Sequence, residues 1–261
     1  MRCQIEVLFT PAEVRMLKDR DLSNAVCVVF DVLRATSSIV TALANGANAI
    51  IPVESLSESL ALRNKQPDLL LAGERRGLRI TSAVSGGIEF DLGNSPREYT
   101  RDKVAGRTIV TTTTNGTRTF KTCRHARQVL AASFLNLQAT TRFISRNPPR
   151  ELLLACAGTG EAAAVEDTLA AGAFCELLSQ QVTDLQLSDS AMIARWAYLP
   201  VGRDLATAVE RSENARRLLK IAELRDDVAY CLKRDLFPMV ASMDPDGAIV
   251  KLTERSESPG A

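Results

Sequence analysis

AVCVVF, residues 25–30, is apolar at every position and stops on Asp31, after which VLRATSSIVTALANGA runs through residue 47. A strand with one wet face alternates polar and apolar residues, so this unbroken run reads as a parallel strand covered by helices on both sides. Beyond it, Ile39, Leu43 and Ala47 recur on one helical face, and Gly46 supplies a C-terminal stop. Similar runs recur as IEVLF (5–9), AIIPV (49–53), LLLAG (69–73), TIVTT (108–112), QVLAAS (128–133) and ELLLAC (151–156), separated by segments of helical periodicity. Ser57 and Asn136 read as N-caps of helices reaching Lys65 and Ser145, and Gly172 as a further stop. The pattern predicts a three-layer α/β/α fold.

A weak internal repeat is visible. TALANGA (41–47) matches DTLAAGA (167–173), an offset of 172 − 46 = 126, and the same offset lays VVFD (28–31) on LACA (154–157). This predicts two similar halves, 1–125 and 126–261, with the active site between them. From Asp189 the second half turns helical, through SAMIARWAYL, SENARRLLKIAEL and DDVAYCLKRDL, before a last strand-like IVKL at 249–252. Arg211 to Arg217 reads as a solvated helix face, and the closing SESPGA is expected to fray.

Composition bounds the partners. Thirty-two Lys and Arg face 31 Asp and Glu, a formal charge of +1, which gives no electrostatic reason to expect nucleic acid or an anionic membrane. The N-terminal twenty residues carry charges inside their one short apolar run, unlike a signal peptide, and no apolar stretch approaches the ~20 residues of a membrane span. The six cysteines form no CxxC pair and read as reduced, buried thiols. The expectation is a soluble cytoplasmic protein without nucleic-acid or membrane partners. A homo-oligomer is compatible with the sequence.

In parallel α/β sheets ligands lie outside the carboxyl ends of the strands, so the residues that end the apolar runs are the candidates. AVCVVF ends on Asp31; LLLAG runs into Glu74 and Arg75; TIVTT runs into Thr113, Thr114, Asn115 and Gly116; ELLLAC runs into Gly158, Thr159 and Gly160. A carboxylate held at the end of a buried run suits a magnesium ligand or a nucleophile. Asp31 is the leading candidate. An N-cap would also place Asp there, but Thr36, Ser37 or Ser38 can fill that role. Arg34 is placed to clamp a phosphate, and Thr36, Ser37, Thr114–Thr117 and Gly158–Gly160 to bind it through hydroxyls and open backbone amides. Glu166 and Asp167 begin the helix after the last loop; adjacent carboxylates point about 100° apart, so one is expected to face the site and the other the surface.

Other chemistries fail on spacing. A cysteine phosphatase needs Arg six residues after its nucleophile, yet residue 162 is Ala and 129 is Val. His125 is the single histidine, and Val32 and Leu33 follow Asp31 where a DxD motif would place a second acid. Neither glycine loop has the Walker or GxGxxG pattern. A metal-assisted route through carboxylates survives. So does a sensor that binds a phosphorylated or sulfonated small acid without turning it over, although several carboxylates beside a bound anion favour an enzyme.

FDVLRATSSIVTALANGA (30–47), AGERRGL (72–78), FDLGNSP (90–96), TTTNGTR (112–118), CAGTG (156–160), EDTLAAGA (166–173) and DDVAYCLKRDLF (226–237) together resemble the 2-phosphosulfolactate phosphatase family over nearly the whole chain. The resemblance implies magnesium-dependent hydrolysis of 2-phosphosulfolactate to sulfolactate and phosphate, a step of coenzyme M synthesis. TSAVSGGIE (81–89) and GEAAAVED (160–167) depart from the family pattern where they could border the substrate. The expected assignment is Asp31, Arg34 and Glu166 in catalysis, Mg²⁺ on Asp31, Glu74 and Asp167, and Arg75 and Arg97 on the sulfonate and carboxylate of the phosphoester.

Overall fold

The computed structural model describes residues 2–252, so the expected fraying of SESPGA falls outside the described residues. The strands are β1 (Cys3–Leu8), β2 (Ala25–Phe30), β3 (Ala49–Pro52), β4 (Leu70–Arg75), β5 (Leu78–Arg79), β6 (Thr108–Thr112), β7 (Gln128–Ala132), β8 (Glu151–Cys156), β9 (Leu185–Leu187), β10 (Ala241–Met243) and β11 (Ile249–Lys251). They form one sheet in the order β5-β4-β6-β3-β11-β10-β7-β2-β8-β1-β9. β4, β6 and β3 make one parallel block, and β7, β2, β8, β1 and β9 another. The antiparallel pair β10–β11 joins them, β11 against β3 and β10 against β7.

β2 is buried at every residue, as its sequence requires. Val26, Val28 and Phe30 enter one core with Leu130, Leu152, Leu154 and Phe174, whereas Cys27 and Val29 enter a second with Ile39, Leu43, Phe120 and Leu153. Alternate residues of a strand point to opposite faces, so these two cores are the two interlayer spaces of an α/β/α sandwich. A third, smaller core under β4 and β6 contains Leu71, Phe90 and Val110. No helix among the described residues is long and apolar enough to cross a membrane. The offset of 126 residues reappears as strand register, because Val28 pairs with Leu154 and Phe30 with Cys156 on adjacent parallel strands.

Two helix boundaries differ from expectation. Ser55 rather than Ser57 caps the helix Leu56–Lys65: it is extended, with φ −126°, and its hydroxyl accepts from the Glu58 N–H. Gly172 does not end a helix but lies inside Val165–Ser179. Its lack of a side chain answers a packing demand, since a Cβ there would overlap the Ala194 carbonyl of the helix Asp189–Tyr198. In an exposed helix Gly→Ala stabilises by about 1 kcal/mol. Here Gly172→Ala is expected to destabilise by roughly 2 kcal/mol through overpacking; chemical denaturation measures the sign, and a stabilised variant would refute the close-packing account.

Candidate active site

Asp31 ends β2 and opens the loop to the helix Ala35–Ala44. Its Oδ1 accepts from the Ala35 N–H at 3.0 Å, while Thr36 Oγ1 donates to its carbonyl and Ser37 Oγ donates to that of Val32. Thr36 and Ser37, expected to bind phosphate, staple this loop through their hydroxyls, and neither lines the cleft beside Asp31. Asp31 Oδ2 takes no hydrogen bond among the described residues. It lies 2.6 Å from where a Cβ of Gly116 would stand, so only glycine lets the next loop come this close.

A cleft of about 490 Å³ opens here, lined by Asp31 and Arg34 after β2, Glu74 and Gly77 around the end of β4, Thr113–Asn115 after β6, and Gly158–Gly160 after β8. Both parallel blocks thus contribute walls. Asn115 ties them together: its amide donates to the carbonyls of Ala157, Gly158 and Gly160 at 3.0–3.1 Å. An Asn before a helix usually caps it, but this one gives no side-chain hydrogen bond to Gly116–Cys123, and Arg34 gives none to Ala35–Ala44. Two helix N-termini thus begin at cleft-lining residues, each with one first-turn N–H engaged from the preceding loop, Ala35 by Asp31 Oδ1 and Thr117 by Thr113 Oγ1, and the positive end of a helix favours anions. Gly116 and Thr117 stand just behind the lining, Thr117 exchanging hydrogen bonds with Thr113.

The carboxylates divide into two kinds. Glu74 Oε1 accepts from Thr114 N–H and O–H, and Oε2 from Gly77 N–H, at 2.7–2.8 Å. Asp167 Oδ1 accepts from Val32 N–H at 2.8 Å and Oδ2 from Gly158 N–H at 3.0 Å. Each clamps two strand-end loops and has no oxygen left unengaged. Glu166, 1% exposed, accepts from Asn214 Nδ2 through Oε1 at 2.8 Å, but its Oε2 is buried with no partner among the described residues. Both Glu166 and Asp167 face inward, against the expectation that one serves the surface, because one direction is covered by the loop after β2 and the other by the helix Glu213–Leu219.

Burial pushes the Asp31 carboxyl up to about 6; the Ala35 N–H opposes this, and Glu74 and Glu166 add repulsion. Burial likewise raises Asp167 well above the ordinary carboxylate range, reinforced by Asp31 and Glu166 and opposed by its two amide donors. Such a cluster calls for a cation. No group of three or more His, Cys, Asp or Glu among the described residues is arranged to hold a metal, so the expected shell of Asp31, Glu74 and Asp167 is not gathered as one set. Magnesium needs less, commonly one or two carboxylates with water and phosphate oxygens completing its octahedron. Asp31 Oδ2 on the cleft wall, and behind the lining the Glu166 Oε2 that has no partner among the described residues, are the oxygens that suit such a shell.

Of the predicted arginines, only Arg34 reaches the cleft. It is 3% exposed, pairs with the fully buried Asp227 at 2.6 Å and donates to the Gly77 carbonyl at 2.5 Å. Arg75 is spent on Thr112 and the Glu74 carbonyl, and Arg97 lies against Asp226 and Asp227. Neither lines the cleft. Asn94, Asn214, Arg217 and Leu218 do, and none was assigned a role from sequence. The stretch read as a solvated face buries Ser212, Asn214 and Ala215 and leaves Arg211 and Arg216 exposed. A signal was present: Asn214 shares an i, i+4 face with Leu218, a polar residue on an apolar stripe.

Comparison with known proteins covers most of the chain. The family model for 2-phosphosulpholactate phosphatase matches residues 10–245. A protein of Thermotoga petrophila named probable 2-phosphosulfolactate phosphatase is 39% identical over 216 residues, 83% of this chain and 88% of the relative. Proteins of that name from Caldanaerobacter subterraneus and Clostridium acetobutylicum are 38% and 34% identical, covering 87% and 86% of this chain and 91% and 92% of theirs. A family match over residues 10–245 and relatives at 34–39% identity place the chain in the 2-phosphosulfolactate phosphatase family, whose members are phosphoric monoester hydrolases.

Proposed function

We propose that the chain hydrolyses 2-phosphosulfolactate to sulfolactate and phosphate with the help of Mg²⁺. The observation that carries this reading is a single cleft where an acid with an unengaged oxygen, Asp31, meets two glycine- and threonine-rich loops, 113–115 and 158–160, at the ends of parallel strands. The loops 113–115 and 158–160 would receive the phosphoryl oxygens, with hydroxyls and backbone N–H groups held in place before substrate arrives. Glu74 and Asp167 position those loops through backbone amides, Glu74 tying 113–115 to the turn at Gly77 and Asp167 tying 158–160 to the loop at Val32. Arg34, anchored by Asp227, places further N–H donors on the cleft wall.

Asp31 and Glu166 would hold the Mg²⁺, which when bound supplies charge neutralisation on the phosphoryl oxygens and lowers the pKa of bound water. The protein's share is preorganised electrostatics and the exclusion of alternative geometries. Sulfolactate released in this way would feed coenzyme M synthesis or another route that consumes a sulfonated acid. The six free cysteines, all buried, fit a cytoplasmic setting. Cys156 contributes no nucleophile in this reading, because burial raises its thiol pKa well above the ordinary value.

EDTA is expected to abolish phosphate release, with recovery on adding Mg²⁺; full turnover in EDTA would remove the metal from the account. Cys156→Ser should keep most of its activity in the same assay, and a fall to background would revive the thiolate route.

Asp31→Asn separates the chemistry from the loop. Asn keeps the acceptor for Ala35, so the fold should persist while kcat falls by a factor on the order of 10² or more. Stability of the metal-free protein should move the other way. A carboxyl raised to about 6 binds its proton more tightly folded than unfolded, so wild type loses stability as pH rises from about 4 through 6. Metal-free Asp31→Asn should therefore melt a few degrees above wild type at pH 8, with the gap closing towards pH 4.5. A gap independent of pH would contradict the buried-charge account.

A further inference from the structure

We propose that Arg217, held by Asn214, reads the second anionic group of the substrate, the sulfonate or carboxylate carried beside the phosphate ester. The inference rests on the phosphatase reading and assigns a part of the cleft that reading leaves unused. Arg217 is exposed, lines the cleft, and makes no ion pair with any carboxylate among the described residues. Arg34, the other cleft arginine, is already neutralised by Asp227. A substrate with three acidic groups brings more negative charge than the phosphate loops and one divalent cation offset, and Arg217 is the uncompensated cation facing it.

The mounting of Arg217 supports a built site. Its Nη2 donates to Asn214 Oδ1 at 2.9 Å, while Asn214 Nδ2 donates to Thr159 Oγ1 at 2.6 Å and Glu166 Oε1 at 2.8 Å. A guanidinium has no acceptor, so the oxygen of Asn214 must face Arg217, which fixes its amide the right way round for Glu166. Asn214 is buried and its helix supplies Leu218 to the same wall. A planar fork of donors suits the paired oxygens of a sulfonate or carboxylate. Asn214 is a positioning residue here, linking the group that reads the acid to the carboxylate placed on the metal.

The test is calorimetric titration of wild type, Arg217→Gln and Arg217→Lys with sulfolactate and, separately, inorganic phosphate in Mg²⁺. Arg217→Gln should weaken sulfolactate binding by about 10- to 100-fold, the scale of a charge-assisted contact, with Lys intermediate and phosphate affinity within about twofold of wild type. In turnover, KM for 2-phosphosulfolactate should rise far more than kcat falls. A smaller KM penalty on phospholactate assigns the sulfonate to Arg217, and an equal one assigns the carboxylate. The side chain is exposed, so melting temperature should hold. Unchanged sulfolactate binding in Arg217→Gln, no binding by wild type, or an equal loss of phosphate affinity would overturn the assignment. Titration needs no turnover, so a chain that binds sulfolactate through Arg217 yet releases no phosphate would sink the phosphatase reading alone.

Discussion

Two carboxylates, each shared between the backbones of two loops, hold the cleft in shape. Glu74 joins the turn at Gly77 to the loop at Thr114, and Asp167 joins the loop at Val32 to the loop at Gly158. Hydrogen bonds from N–H to an ionised carboxylate are about twice as strong as neutral ones, and buried they fix geometry as well as charge. Each clamp works within one parallel block, and Asn115 spans the blocks. Because the clamps are saturated, Asp31 and Glu166 are the acids left with an oxygen to offer. The elevated pKa of Asp31 comes first from its burial, and repulsion from Glu74 and Glu166 adds to it.

Most of the fold was legible because its signals are local. AVCVVF, TIVTT and ELLLAC became strands at the predicted residues, since a run buried on both faces has no polar position to blur its ends. Asp31 at the end of such a run was legible for the same reason. Gly172 was misread because its purpose, the approach of a second helix, involves residues twenty positions away. Arginines failed similarly: Arg75, Arg97 and Arg217 look alike in sequence, and only the tertiary path of each side chain decides which reaches the cleft. The pairing of Arg34 with Asp227 joins residues 193 positions apart and leaves no local trace.

The repeat acquires a physical meaning from the sheet. Residues 126 positions apart, Val28 and Leu154, are cross-strand partners on parallel neighbours, so the loops after β2 and β8 open at the same edge. Asp167, on the helix after the second strand, then bonds the loop after the first. Residues 1–125 and 126–261 nonetheless interleave in the sheet, with β8 from the latter between β1 and β2 from the former.

The hairpin β10–β11 bears on how the chain is made. It fills the gap between β3 and β7 and follows every other described strand and helix in chain order. Until residues 241–251 emerge from the ribosome, those two strands each present an unpaired edge, the kind of surface that recruits a foreign strand. Completion of the sheet therefore waits on residues 241–251, and a nascent chain stalled before Ala241 would hold both edges open to chaperones or to other copies of itself.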